Sequence, residues 1–278
     1  MCIRDSSDII ALILMFYTNP FAELINFMPV EALQAFVILM VAMVALGTIL
    51  DMAHKKNAKY FFINYKKATE SATKKVSAGE KAAVISKTIA SDILTTSELG
   101  RGQRRAAHLL GMYGSILFWI CSAVLIFAYT GVAKEAPYQV SALWHIGALM
   151  TCLGGYWFWF FLRVDVSAEA NPWKRIIRAD LFVLSLLAAA TFGLAWSYTQ
   201  YANIPIFDSL FLVLYALSNI VLFGGVYWSK FAHMFYKPGA AIQKNLSEVD
   251  GYRDDLPGPA DAPKQFGLGI KRESPRHY

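Results

Sequence analysis

The chain has 278 residues, of which 56% are hydrophobic and 17% charged, and its mean hydropathy is +0.40. Soluble domains carry about 25% charged residues, so this composition indicates a membrane protein and excludes disordered, collagen-like and coiled-coil chains. Lysine and arginine number 26 against 20 aspartates and glutamates, a basic excess that by itself would suggest nucleic-acid binding. The position of these charges along the chain decides that question.

Cysteine usage limits the redox chemistry of the chain. Cys2, Cys121 and Cys152 are far apart in sequence and form no CxxC or Cys/His zinc pattern. An iron–sulfur cluster needs about four thiolates, so none is expected here. Cys121 and Cys152 lie inside apolar runs, where a free cysteine packs as a small hydrophobic residue. Any redox cofactor must therefore lack cysteine ligands or belong to a partner.

The N-terminal segment at 1–30 begins apolar and is then interrupted. Pro20 follows the apolar run at 9–17, and Glu23 and Asn26 come next. Proline and polar residues stop a helix short of the length that spans a bilayer. We therefore expect an interfacial or re-entrant helix here, with a sixth transmembrane helix as the alternative.

Five later runs are apolar and about 20 residues long, which is enough to cross the hydrocarbon core. They lie at 31–50, 106–130, 139–162, 179–199 and 207–228. The sequence thus predicts an all-α integral membrane bundle of five transmembrane helices. Its segments are the N-terminal segment at 1–30, the first helix at 31–52, a basic loop at 53–105, helices two to five within 106–238, and a tail at 239–278.

The basic residues are concentrated on one side of the predicted bundle. With five spans, the loops at 53–105 and 163–178 and the tail from 229 share a side, and they hold 12, 4 and 8 lysines and arginines. The other side has only Arg4 and Lys134. The positive-inside rule then predicts an outside N-terminus and a cytoplasmic C-terminus, in a bacterial inner membrane. Topology explains the basic excess, and nucleic acid is not expected as a partner.

The two large polar segments have different compositions. Lysines flank aromatic residues at 59–67 (KYFFINYKK), which predicts a stretch in the headgroup region of anionic lipid. The tail at 239–278 is rich in proline and glycine, including Pro257 and Pro259. Such a composition cannot bury a core, so we expect an extended cytoplasmic tail.

Few ionisable groups lie at membrane depth. Asp51 and Asp180 are at predicted span ends, where we expect contact with water and, for Asp180, pairing with Arg178. Arg163 is expected to pair with Asp165. Asn219 lies at mid-depth in the last span and is expected to form an interhelical hydrogen bond. With no internal repeat, this pattern argues against a transporter.

Histidines are the residues that could carry chemistry. His54, His108 and His233 fall at cytoplasmic helix ends, while His145 lies alone within the third helix and is expected to be a hydrogen-bonded packing residue. Haem b in membranes takes two imidazoles from different helices at one depth, which a pair among the first three could provide. The alternative is that these histidines are interfacial and contact water, lipid phosphate or a docked protein. His277 is in the tail.

Two motifs resemble a known family. Residues 104–114 (RRAAHLLGMYG) open the second helix, and residues 228–238 (WSKFAHMFYKP) close the last. They resemble the five-helix, cytochrome b-type membrane subunits of quinone-interacting oxidoreductases, such as nitrate reductase gamma. With the stretch at 92–102 (DILTTSELGRG), the pattern is most similar to the membrane anchor associated with dissimilatory adenylylsulfate reductase in sulfur oxidisers.

The resemblance implies an electron path between cytoplasmic adenylylsulfate reductase alpha/beta subunits, which carry flavin and iron–sulfur clusters, and membrane quinone. His108 and His233 match motif histidines that hold haem b in the relatives. The full set of four paired histidines is lacking, so zero or one haem is expected. We expect six residues to line the cytoplasmic cofactor or quinone site: His54, His108, His233, Arg104, Arg105 and Lys230.

Two other functions remain open from the sequence. In one, the spans are a non-redox tether, and the basic loop and tail dock an acidic soluble partner. In the other, which the polar pattern disfavours, the chain is a small-solute transporter. In every case the chain is not expected to be catalytic alone.

Overall fold

The computed structural model of the chain describes residues 13–99, 102–130, 135–163, 173–252, 265–266 and 270–271. These residues form two compact units, one of Met1–Ile49 and Ala106–Phe231 and the other of Leu50–Arg105 and Ala232–Tyr278. The described part of the chain contains these α-helices: α1 (Val30–Lys55), α2 (Asn57–Glu70), α3 (Ala78–Thr88), α4 (Gln103–Tyr129), α5 (Tyr138–Trp157), α6 (Leu181–Tyr201), α7 (Pro205–Gly224) and α8 (His233–Asp250).

Within the part of the chain that the structure describes, five helical stretches are long and apolar enough to cross a membrane. They are Val30–Lys55, Gln103–Tyr129, Tyr138–Leu162, Arg178–Tyr201 and Pro205–Gly224. The third includes a π-helical end to α5 at Phe158–Leu162, and the fourth begins with a 3₁₀ turn at Arg178–Asp180. The chain is a multi-pass, all-α membrane protein. The predicted bundle of five transmembrane helices is confirmed.

Small residues allow α4 and α5 to approach to backbone contact. A Cβ built on Gly114 would lie 2.6 Å from the Thr151 nitrogen and 2.8 Å from the Gly147 oxygen. A Cβ on Gly154 would lie 2.5 Å from the Ala107 oxygen. Helices in lipid associate through such close van der Waals packing because lipid tails are as apolar as their side chains.

The N-terminal segment folds back into the first unit. After a short helical stretch at 13–15, residues Ala22–Asn26 form a 3₁₀ helix. Phe21 is buried, with its ring 5.8 Å from that of Trp144 and 5.5 Å from that of Trp196. The Gln200 amide donates a hydrogen bond to the Pro20 carbonyl at 3.1 Å. Residues 13–28 therefore form no span, and residues 1–12 of the predicted segment lie outside the described part.

The second unit is a small helical assembly of α2, α3 and α8. A capping box at Ser77 and Glu80 begins α3, which continues into a π-helix at Ile89–Leu94. On α8, the Asn245 amide donates to the Thr88 hydroxyl at 2.8 Å and to an Asp92 oxygen at 2.7 Å. The basic loop predicted at 53–105 is thus mostly helical.

The prediction of an extended tail at 239–278 is wrong for its first third. Residues up to Asp250 continue α8, and Gly251 ends the helix at φ 79°. Alanine, glutamine, lysine, leucine and glutamate favour helix at 240–248, but the prolines and glycines further on dominate the average composition. Beyond Tyr252, the structure describes two short antiparallel strands, Gln265–Phe266 and Ile270–Lys271.

Candidate functional site

Asp51 lies near the C-terminal end of α1 and is fully buried. Its Oδ1 pairs with the Lys55 ammonium one turn later, and its Oδ2 accepts a hydrogen bond from the Tyr236 hydroxyl of α8. The expectation that water reaches Asp51 is therefore wrong. The carboxylate is buried because the first turn of α8 covers it, a contact between residues 185 positions apart in sequence.

Two of the predicted histidines lie close to the contact between Asp51 and Tyr236. His54 follows Asp51 by three residues on α1, and His233 precedes Tyr236 by three residues on α8. Side chains three apart share a helix face, with Cβ atoms about 5–6 Å apart. Both histidines are therefore within one helical turn of the same hydrogen bond, and both are exposed.

The position of α8 within the second unit is fixed by further polar contacts. Lys237 pairs with Glu98 at 3.5 Å, next to Tyr236. The Ser97 hydroxyl donates to Asp92, as do the Asn245 amide and the Ser91 hydroxyl. These donors, Ser97 above all, lower the pKa of the Asp92 carboxyl, and burial opposes them. These contacts hold α8 in place within the second unit, and α8 in turn positions Tyr236 against Asp51.

The other predicted site residues divide between the units. Arg104 and Arg105 belong to the second unit, where the Arg105 Nε donates to the Thr95 carbonyl at 2.7 Å. His108 and Lys230 belong to the first unit and are exposed. His108 is in the second turn of α4, because the helix begins at Gln103. His233 begins α8 and does not continue α7, which ends at Gly224.

His145 lies fully buried in the first unit. Its Nδ1 is 2.8 Å from the Ser141 carbonyl and its Nε2 is 2.8 Å from the Ser197 hydroxyl. The Phe16 ring lies 5.0 Å from the imidazole. Because both ring nitrogens are engaged, His145 is a packing residue that joins α5 to α6, as predicted. The prediction that Cys121 and Cys152 are packing residues is also confirmed, since Cys121 is buried and Cys152 half-buried.

Haem b ligation by the described histidines stays a prediction. An axial ligand presents a ring nitrogen within an apolar helix bundle, and His54, His108 and His233 are exposed, with His108 in a different unit from the other two. His145 is buried, but both its nitrogens are hydrogen-bonded. Within the described ranges, no three His, Cys, Asp or Glu side chains gather closely enough to hold a metal ion. Haem ligation therefore receives no support from the geometry.

One expected hydrogen bond within the first unit is wrong, and one buried ion pair was not predicted. Arg163 pairs with Asp180, and its guanidinium also donates to the Arg175 carbonyl at 2.7 Å. Both charged side chains are nearly buried, at 7% and 13% exposure. Asn219 donates to the Tyr215 carbonyl at 2.8 Å within its own helix, and not between helices. Asp165 itself lies outside the described residues.

Sequence reasoning missed Asp51 and Tyr236 as members of the site. The local signals were present: Asp51 and Lys55 have the i, i+4 spacing of a helical ion pair, and His233 and Tyr236 the i, i+3 spacing of one face. Nothing in the sequence joins the two faces. That link comes only from the fold of the second unit.

Comparisons of the chain with protein-family models, with curated proteins and with solved structures found no match.

Proposed function

We propose that the chain is the membrane anchor and electron-transfer subunit of a cytoplasmic oxidoreductase, delivering electrons to the quinone pool of a bacterial inner membrane. The resemblance of the motifs at 104–114 and 228–238, taken with the stretch at 92–102, supports adenylylsulfate reductase alpha/beta subunits as the partner. The positive-inside rule supports the orientation, because the segments assigned to the cytoplasm carry 24 of the 26 basic residues.

The observation that carries the proposal is the cluster of Asp51, Tyr236, His54 and His233 at the end of a spanning helix. Reduction of a quinone consumes two electrons and two protons and breaks no carbon skeleton bond. The flavin and iron–sulfur partner supplies the electrons. Histidine N–H and tyrosine O–H groups donate hydrogen bonds to quinone carbonyl oxygens, and histidine exchanges protons near neutral pH.

Each residue of the cluster has a defined part in this scheme. Asp51 accepts the Tyr236 hydroxyl hydrogen and so holds the first turn of α8 against α1. His54 and His233, both exposed, relay protons from the cytoplasm to the reduced quinone oxygens. No step of this scheme passes through haem.

Quinone reduction by the purified complex tests this assignment. We expect His54→Ala and His233→Ala to lower the quinone-reduction rate roughly ten- to hundredfold, since positioned proton donors contribute at least that much. Electron transfer from the partner to a soluble acceptor such as ferricyanide should be unchanged. Tyr60→Phe is the matched control, because Tyr60 is an exposed residue of the same unit. Unchanged quinone reduction in both histidine variants would refute the assignment.

A non-redox tether is the second candidate function, and one observation favours it. The second unit is folded and includes 11 of the 12 basic residues at 53–105 among the described residues. Such a basic unit fits an acidic soluble protein. If the chain is only a tether, histidine variants keep full electron transfer, while neutralising several lysines of 53–105 releases the partner from the membrane.

A further inference from the structure

Helix α2 begins directly where the first spanning helix ends. The 26 residues of α1 extend about 39 Å at 1.5 Å per residue, whereas the hydrocarbon core is about 30 Å thick. A single residue, Lys56, separates the two helices, and its φ of 55° is left-handed. The chain therefore leaves the helical path of α1 at Lys56 and starts α2 near the polar boundary of the bilayer.

One side of α2 packs within the second unit, and an adjacent side does not. Ala68 is buried, and a Cβ built on Gly239 of α8 would lie 3.8 Å from the Phe61 ring. Phe62 and Tyr65, which share a face at i, i+3 spacing, are instead 66% and 45% exposed. The two neighbouring rings form an exposed apolar patch, and contiguous patches of this kind are typical of interaction surfaces.

Lysines border this aromatic face. Lys59 precedes Phe62 by three residues and Lys66 follows it by four, so both ammonium groups flank the exposed ring. Lys66 forms an exposed ion pair with Glu70, at 3.7 Å. Aromatic rings beside long basic side chains are typical of a helix that lies in the plane of an anionic lipid surface.

We propose that the face formed by Lys59, Phe62, Tyr65 and Lys66 binds anionic phospholipid, with α2 lying in the headgroup layer. The rings enter the boundary between headgroups and acyl chains, and the lysines contact lipid phosphates. Lipid is the occupant because α2 follows a spanning helix after one residue and its free face is both apolar and basic. This inference is independent of any role in quinone reduction.

The full-length chain in lipid nanodiscs provides the test. Cys2, Cys121 and Cys152 are replaced by serine, and a nitrobenzoxadiazole label is attached to Phe62→Cys. The matched control is Asn64→Cys, because Asn64 is exposed on the opposite side of α2. Nanodiscs contain phosphatidylcholine alone or with phosphatidylglycerol, and the neutral quencher acrylamide reports access to water.

We expect the label at position 62 to show blue-shifted emission and several-fold weaker acrylamide quenching in phosphatidylglycerol nanodiscs, while the label at 64 stays accessible. Adding Lys59→Gln and Lys66→Gln should reverse the protection at 62. Equal quenching at the two positions would overturn the proposal. So would protection that is the same without phosphatidylglycerol, or that arises only when a soluble partner protein is added.

Discussion

The Tyr236 hydroxyl donates a hydrogen bond to the buried Asp51 carboxylate, and this contact joins the end of the first spanning helix to the first turn of α8. It determines where His54 and His233 lie, because each is three residues from one of the partners. The candidate quinone site therefore depends on an interaction whose second partner, Asp51, lies outside both motifs.

Tyr236→Phe should loosen α8 without removing its packing. The variant leaves the buried Asp51 Oδ2 without its donor, which costs about 1–3 kcal/mol. Hydrogen exchange at α8 amides should accelerate accordingly. Tyr60→Phe, at a tyrosine 57% exposed on α2, should leave that exchange unchanged. Equal exchange in the two variants would show that the hydroxyl contributes nothing to the position of α8.

Gly114→Ala should destabilise the first unit. Its new methyl group would meet the backbones of Gly147 and Thr151 at 2.6–2.8 Å, so α4 and α5 must separate, at a cost of about 1–3 kcal/mol. Gly111→Ala, on the same helix, meets nothing within 4 Å and should be neutral or stabilising, since alanine favours helix. Thermal unfolding in detergent compares the two, and an equal midpoint would contradict close α4–α5 packing.

Arg163→Gln should destabilise the first unit more than Arg178→Gln. It leaves the nearly buried Asp180 carboxylate without its ion pair, a loss of about 3–5 kcal/mol for buried pairs. Arg178 is exposed and serves as the control. A double-mutant cycle with Asp180→Asn should give a coupling energy well above that of an exposed pair, which is about 0–1 kcal/mol. Additive effects would contradict the pairing.

Acid should weaken the second unit through Asp92. Because its folded-state pKa is lowered, chiefly by Ser97, the stabilisation is present above about pH 4 and is lost as the pH falls through the lowered pKa. Asp92→Asn should therefore flatten the pH dependence of unfolding in that range. Glu70→Gln, at an exposed residue of the same unit, should not. A wild-type slope in Asp92→Asn would contradict the assigned hydrogen bonds.

The sequence predicts the features that arise from apolar runs and from the spacing of residues along a single helix. Hydropathy and length predict the five spans. The packing role of His145 is predicted because a lone histidine within a span is rarely a ligand. The same reasoning fails for partners far apart in sequence, as with Asp51 and Tyr236, because composition and spacing carry no tertiary information.

Local competition between interactions also limits prediction. Asn219 satisfies its amide with the carbonyl four residues earlier, a bond that periodicity cannot distinguish from one to a neighbouring helix. Arg163 pairs with Asp180, 17 residues away, because Asp180 lies at the start of the next spanning helix beside it. The average composition of residues 239–278 did not reveal the helix that ends at Asp250.

We propose that this chain passes electrons from a cytoplasmic adenylylsulfate reductase to quinone. The direct measurement is quinol formation from sulfite and AMP by the reductase added to quinone-containing proteoliposomes, with or without this chain. We predict that quinol forms only when the chain is present, and that His233→Ala abolishes most of it while Tyr60→Phe does not. Quinol formation at equal rates without the chain, or no formation with it, would contradict the account.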